Sequence, residues 1–185
     1  MREGQCDGSF WFESIYEDAA EIFKRLGIIS EKQVPMHNGK TLTETGIWFS
    51  GFCSQGDGAC FEGSYYYKAG SVKAIRDYAP KDETLHDIAE RLAAVQKKNG
   101  YGLTATLKHR GNYYHENSVT IDVESSRDWL VSQESHAEVS EALRDLMRWI
   151  YKTLQSEYDY QNSDEAIRDV IESNDYEFTA DGRIA

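Results

Sequence analysis

No stretch of this 185-residue sequence holds more than a few consecutive apolar residues, far short of the roughly 18 that a bilayer-spanning helix requires. The opening Met-Arg-Glu-Gly-Gln-Cys has no apolar segment of the kind that marks a secreted chain, so the protein is expected to be soluble and cytoplasmic. Cysteine is scarce: Cys6, Cys53 and Cys60 are odd in number and far apart, which fits reduced thiols and excludes a disulfide scaffold. Internal repeats and low-complexity tracts are missing too. A composition of 40% hydrophobic and 28% charged residues suits one closed core, so a single domain over 1–185 is expected.

Basic residues are the most telling shortage. Twenty Lys and Arg stand against 32 Asp and Glu, a net charge of −12. A protein that grips nucleic acid draws its affinity from cations that neutralise phosphates, so this balance argues against direct nucleic-acid binding. The surplus is uneven. From Tyr151 to Ala185 there are nine acidic residues against Lys152, Arg168 and Arg183, half of the whole chain's excess. Such a field serves solubility, and it also steers association with a partner whose surface is basic.

What is present reads as alternating helices and strands. Ser9 is placed to cap a helix whose inner face is Phe12, Ile15, Tyr16, Ala19, Ile22, Phe23 and Leu26, with Gly27 as its stop. Thr41 to Ser54 and Cys60 to Lys68 are rich in β-branched and aromatic residues around Gln55-Gly56-Asp57-Gly58, the pattern of a hairpin. After Pro80, a helix carries Leu85, Ile88, Ala89, Leu92 and Val95 and ends near Asn99-Gly100. Leu103, Ala105 and Leu107, then Val119, Ile121 and Val123, alternate with polar residues as two half-buried strands do. Ser135 with Glu138 forms a capping-box pattern ahead of a stripe of Val139, Leu143, Leu146, Met147, Ile150 and Leu154. Ser163 is set to cap a short helix with Ile167, Val170 and Ile171, and Tyr176 to Thr179 to add a last strand. The expected class is α+β: an antiparallel sheet of four to five strands built from hairpins, with three to four helices mainly on one face.

Three patches carry chemistry. In the string Gly51 to Gly63, the glycines either let a backbone approach a ligand beside Asp57 or Glu62, or form a turn in which Gly56 and Gly58 take positive φ and Asp57 bonds the local backbone. The string satisfies neither the dinucleotide fingerprint nor the phosphate-loop pattern. Strand parity, with Leu107 set opposite Asn117 and Ala105 opposite Val119, puts His109 opposite His115, close enough to share a proton or a metal beside Arg110 and Glu116; the bland reading is a polar hairpin tip. Cys60 as a nucleophile would need a histidine in reach. Finally, Tyr65-Tyr66-Tyr67 and Tyr113-Tyr114 must turn some rings outward on strands, and exposed tyrosines suit protein interfaces.

The strings Phe12-Glu13-Ser14-Ile15-Tyr16-Glu17-Asp18-Ala19, Ile47 to Gly63, Lys108-His109-Arg110-Gly111-Asn112-Tyr113-Tyr114-His115 and Asp175 to Gly182 resemble a group of phage and prophage proteins labelled "antitoxin of toxin–antitoxin stability system". The resemblance implies a mobile-element origin and action inside a bacterial host cell, and brings no catalytic residue with it. Together with the charge it leads to a non-enzymatic inhibitor that binds and blocks a bacterial protein with a basic surface, either a component of a CRISPR or restriction complex or a toxin. The contact surface assigned from sequence is Gln55, Asp57, Glu62, Tyr65, Tyr67, Arg110, Tyr113 and Tyr114 with the carboxylates Asp164, Glu165, Asp169 and Glu172. No catalytic residue, metal or cofactor is assigned, no membrane contact is expected, and a homodimer is compatible. The rival reading is a small enzyme at the Gly56–Gly58 loop and the His109/His115 tip.

Overall fold

The computed structural model describes residues 11–35, 41–127 and 130–183. Helix α1 spans Glu13–Leu26 with Ile15, Ala19, Ile22, Phe23 and Leu26 buried, and Gly27 ends it in the left-handed conformation at φ 84°. Phe12 occupies the N-cap, and Ser9 lies outside the described residues. The strands β1 (Ile28–Ile29), β2 (Glu31–Pro35), β3 (Thr41–Thr45), β4 (Ile47–Phe49), β5 (Ala59–Phe61) and β6 (Gly63–Tyr66) follow. Then come α2 (Ser71–Tyr78), α3 (Glu83–Lys98), β7 (Leu103–His109), β8 (Val119–Ser125), α4 (Gln133–Gln161) and α5 (Asp164–Ser173). This is the α+β class expected, with a four-stranded antiparallel sheet in the order β1-β6-β7-β8 and, among the described residues, five helices, one more than the sequence patterns supplied.

The first six strands are three longer ones, each broken by a single residue where it changes partner. Ser30 separates β1 from β2, Gly46 separates β3 from β4, and Glu62 separates β5 from β6. β2 pairs with β3, β4 with β5, and β6 with β1, all antiparallel. Continuing each register by one residue brings Ser30 opposite Gly46, Gly46 opposite Glu62, and Gly63 opposite Ser30. The centre is therefore a three-way strand junction. Gly46 N donates to Ser30 O at 2.5 Å and Glu62 N to Gly46 O at 2.9 Å. The crossing leaves no room for a side chain at its glycines: at Gly63, with φ 145°, a Cβ would lie 2.0 Å from Ile29 O. The hairpin read from Thr41 to Lys68 is thus corrected. Only Ile47–Phe49 and Ala59–Phe61 form it, because the flanking residues leave for other partners at the junction.

The four-stranded sheet buries one face. Ile28, Tyr65, Leu103, Ala105, Leu107, Val119, Ile121 and Val123 point into the core, while Tyr66, Thr106, Lys108, Thr120, Asp122 and Glu124 face outward. Two helices over the buried face are fastened at both ends. Asp82 caps α3 by accepting from Leu85 N at 3.0 Å and also accepts from Trp149 Nε1 of α4 at 2.7 Å. At the far end Asn99 Nδ2 donates to Ser135 Oγ at 3.0 Å. The buried Gln96 amide donates to Leu103 O at 2.7 Å and accepts from Leu103 N at 3.1 Å, so that both backbone groups of the residue that opens β7 are satisfied.

The α4 stripe, Val139 to Leu154, is buried as expected, but the helix starts earlier. Its cap is Ser132, whose Oγ accepts from Ser135 N at 3.1 Å, and Glu138 turns instead to Arg91 of α3, 2.9 Å away. The β7–β8 register is four residues from the one expected: Leu107 faces Ile121, Ala105 faces Val123 and His109 faces Val119. The strands close at Arg110 N donating to Ser118 O, around a loop that ends in a 3-10 turn at Glu116–Ser118. Tyr176 to Thr179 adds no strand to the sheet; Thr179 N donates to Arg183 O and Gly182 N to Thr179 O, closing a tight turn.

A single methyl at the junction tests this architecture. Gly63→Ala is expected to cost about 4 kcal/mol or more in urea unfolding, since both the backbone angle and the contact with Ile29 O forbid it. Gly111→Ala, at φ 93° with open space around it, is expected to cost only about 1 kcal/mol. Equal losses would show that the crossing is not the constraint.

Candidate functional site

The β4–β5 loop and the β7–β8 loop, some 60 residues apart in sequence, meet at one tip. Trp48 and Tyr114 stack with ring centres 6.3 Å apart and planes at 17°, and His109 lies 5.3 Å from the Tyr114 ring. Ser50 Oγ donates to Tyr114 O at 3.4 Å and accepts from Gly58 N at 3.2 Å. Gly58 is glycine because of this contact rather than for a positive φ: a Cβ there would sit 2.8 Å from His115 Cδ2. Gly56 does take positive φ, 93°, and the Tyr113 ring lies 3.7 Å from where its Cβ would be.

Inside the second loop Ser118 Oγ is a hub, 2.6 Å from Tyr113 O and accepting from His115 N at 3.1 Å. The loop is also fixed to α4. Arg148 Nε meets Glu116 Oε1 at 3.0 Å, and the same guanidinium reaches Glu141 and Asp145 at 2.8 and 2.6 Å. Arg91 of α3 shares Asp145, at 2.7 Å, so α3, α4 and the loop form one charge network. The first loop is tied to α4 by rings: Phe52 packs on Tyr151 at 5.5 Å and on Tyr158 at 5.0 Å, and Trp11, Phe12 and Phe49 complete a half-buried aromatic cluster. Tyr151 Oη donates to Gly51 O at 3.2 Å.

The residues assigned from sequence are distributed unevenly over this surface. Gln55, Arg110, Tyr113 and Tyr114 sit at the tip; Gln55 and Arg110 are exposed and Tyr113 is 68% exposed. Asp57 belongs to the loop's own architecture, its Oδ2 accepting from Cys53 N at 2.9 Å and Ser54 N at 2.6 Å. Glu62 likewise accepts from His109 N at 2.9 Å, joining the junction to the end of β7. Tyr65 is corrected outright. It is 2% exposed, because the parity of β6 turns it toward Gln96 and leaves Tyr66 on the outer face. Tyr67 is half-buried against Tyr101, 4.6 Å between ring centres, at the opposite end of the sheet from the tip. Asp164, Glu165, Asp169 and Glu172 are all exposed on α5.

The register expected to set His109 opposite His115 is not formed, since His109 faces Val119. His109 Nε2 lies 2.8 Å from Tyr113 O, and His115 caps the 3-10 turn, its Nδ1 accepting from Asn117 N at 3.1 Å. Among the described residues no three His, Cys, Asp or Glu side chains are grouped so as to hold a metal ion. Cys60 does lie beside His115, but only its backbone. Burial, and then the charge of Glu62, push the Cys60 thiol up to about 12, with the His115 backbone N–H pulling weakly the other way. Such a thiol stays protonated and inert. Sequence reasoning missed Trp48, Phe52, Tyr151, Tyr158 and Ser118 as the frame of the tip; the spacing of Tyr151 and Tyr158, two turns apart on a long helix, was the one signal on offer.

No helix among the described residues is long and apolar enough to cross a membrane. A family described as domain of unknown function (DUF8835) matches residues 11–164, more than four-fifths of the chain. No curated protein and no solved structure matches it.

Two measurements test the thiol environment. Iodoacetamide at about pH 8 should label the exposed Cys53 in the native protein and reach Cys60 only after denaturation, as read by peptide mass spectrometry. Burial also raises Tyr65 to about 12. The unfolded chain therefore gives up the protons of Cys60 and Tyr65 first, and stability should fall as pH climbs from about 9 toward 12. Native labelling of Cys60, or a urea midpoint that holds over that range, would contradict this picture.

Proposed function

The chain belongs to the DUF8835 family of domains of unknown function, and on that premise we propose that it is a non-enzymatic, acidic inhibitor that binds and blocks a bacterial protein. The target is a basic protein of an antiviral defence complex or a toxin. The observation that carries this reading is the two-loop tip. Its exposed side chains, Gln55, Arg110, Tyr113 and Tyr114, stand on loops held by ring stacking, the Ser118 hub and the Glu116–Arg148 pair. Loops fixed before contact lose little entropy on binding, and tyrosine offers a large rigid contact area with a polar end.

Two further facts, and the resemblance read from the sequence, support it. The charge of −12 favours encounter with a cationic partner. The resemblance to phage and prophage proteins suits a role against a host component. The polar groups that the rival enzyme would need are engaged locally: Asp57 with its own loop, His109 with Tyr113 and His115 with Asn117.

The tagged full chain should retain one stoichiometric basic protein from lysates of host bacteria at low salt and less of it at moderate salt. Tyr113→Ala with Gln55→Ala should weaken that partner's affinity by about tenfold or more. Absence of a partner at both salt levels would sink the proposal, as would a partner indifferent to the charge of the medium and to both tip substitutions.

A further inference from the structure

We infer that α5 is a docking helix for an apolar groove with a cationic rim on a partner protein; this rests on the reading of the chain as a binding protein and locates a second contact within it. α5 buries none of its residues. Ile167 is 48% exposed and Val170 54%, and Ile171 is half-buried. At 100° per residue Ile167, Val170 and Ile171 fall within one stripe about 100° wide, and Glu165, Asp169 and Glu172 fall on the opposite side. The acidic face and the apolar face are therefore separate: the carboxylates remain in solvent while the stripe makes contact.

A ten-residue helix is marginal in water without packing. α5 compensates by local means. Ser163 Oγ accepts from Ala166 N at 3.2 Å, Asp164 and Glu165 occupy the positive end of the helix dipole, and Asn174 Nδ2 donates to Val170 O at 2.8 Å. These devices hold helical a segment that gains no core burial from it. The last buried residue of α4 is Leu154, so the end of that helix carries α5 clear of the core. The family match stops at Asp164, the first residue of α5, so the stripe lies beyond the part of the chain that the family shares.

Charge selects the occupant. Between 164 and 183 stand Asp164, Glu165, Asp169, Glu172, Asp175, Glu177 and Asp181 against Arg168 and Arg183. A second copy would bring the same negative field to the contact and be repelled. A groove rimmed by Lys and Arg would be drawn to it, and amphipathic helices are read by grooves through anchors at this i, i+3, i+4 spacing.

The test uses the full chain with a photo-crosslinking residue in place of Ile167 or of Val170, and of Thr106 on the outer sheet face as control, irradiated in host lysate. The crosslinked protein is then purified. Its affinity is compared for the native chain, for Ile167→Gln with Val170→Gln, and for Glu165→Gln, Asp169→Asn and Glu172→Gln together. Expected are a crosslink from positions 167 and 170 but not 106, and a loss of about tenfold or more for the apolar pair with unchanged helicity and melting temperature. The charge triple should flatten the salt dependence. A crosslink to a second copy, matched by a dimer in light scattering that the apolar pair dissolves, would overturn the inference. So would a partner whose affinity the apolar pair leaves unchanged; binding as such would then stand and only the role of α5 fall. No crosslink at either position above the control would remove it as well.

Discussion

The close crossing of three strands at Ser30, Gly46 and Glu62–Gly63 is the constraint on which the rest of the fold depends. Each strand serves two partners there, so three ribbons leave one point in different directions. One ribbon, β1 with β6, enters the four-stranded sheet; another, β4 with β5, carries the first loop to the tip. Backbone hydrogen bonds between strands need chains about 5 Å apart, and three chains meeting at that spacing leave no volume for Cβ atoms on every side. Glu62 extends the constraint outward. Its N–H bonds Gly46 while its carboxylate takes the His109 N–H, so the junction and the second loop are referred to the same residue.

On this frame α4 acts as the spine. Its first half closes the core through Val139 to Ile150 and is fastened to α3 by Asn99–Ser135, Asp82–Trp149 and the arginine network. Its second half keeps Leu154 in the core, leaves it beyond that residue, and carries Tyr151 and Tyr158, against which the first loop lies through Phe52. One helix thus supports both loops, the first by rings and the second by the Arg148–Glu116 pair. Because the ring contacts do not depend on ionic strength while the ion pair does, the two halves of the tip are held by forces of different character.

The parts of this fold legible in the sequence are those with local periodicity. The inner face of α1, the stripes of α3 and α4, the Ser163 cap and the inward parity of β7 and β8 all follow from the spacing of apolar residues. Non-local geometry was not legible. The run from Cys60 to Lys68 looks continuous, and nothing in it says that Glu62 is where one sheet ends and another begins. The four-residue register error arose because the 3-10 turn at Glu116–Ser118 consumes residues that alternation alone would assign to the strand. Ser132 and Ser135 are both plausible caps, and what separates them is that Glu138 is claimed by an arginine from another helix. At the site, outward tyrosines were expected on β6 and at the tip, but parity selects Tyr66 over Tyr65 and Tyr67, and Asp57 and Glu62 serve the frame.

The tip is built so that, Tyr114 apart, what holds it and what it displays are different residues. Trp48, Ser50, Phe52, Asp57, Glu116 and Ser118 do the holding, while Gln55, Arg110, Asn112 and Tyr113 contribute their side chains almost wholly to the outside. Substitutions among the displayed side chains therefore need not disturb the contacts beneath them, and the outward chemistry of the tip is free to vary while the body that carries it stays the same.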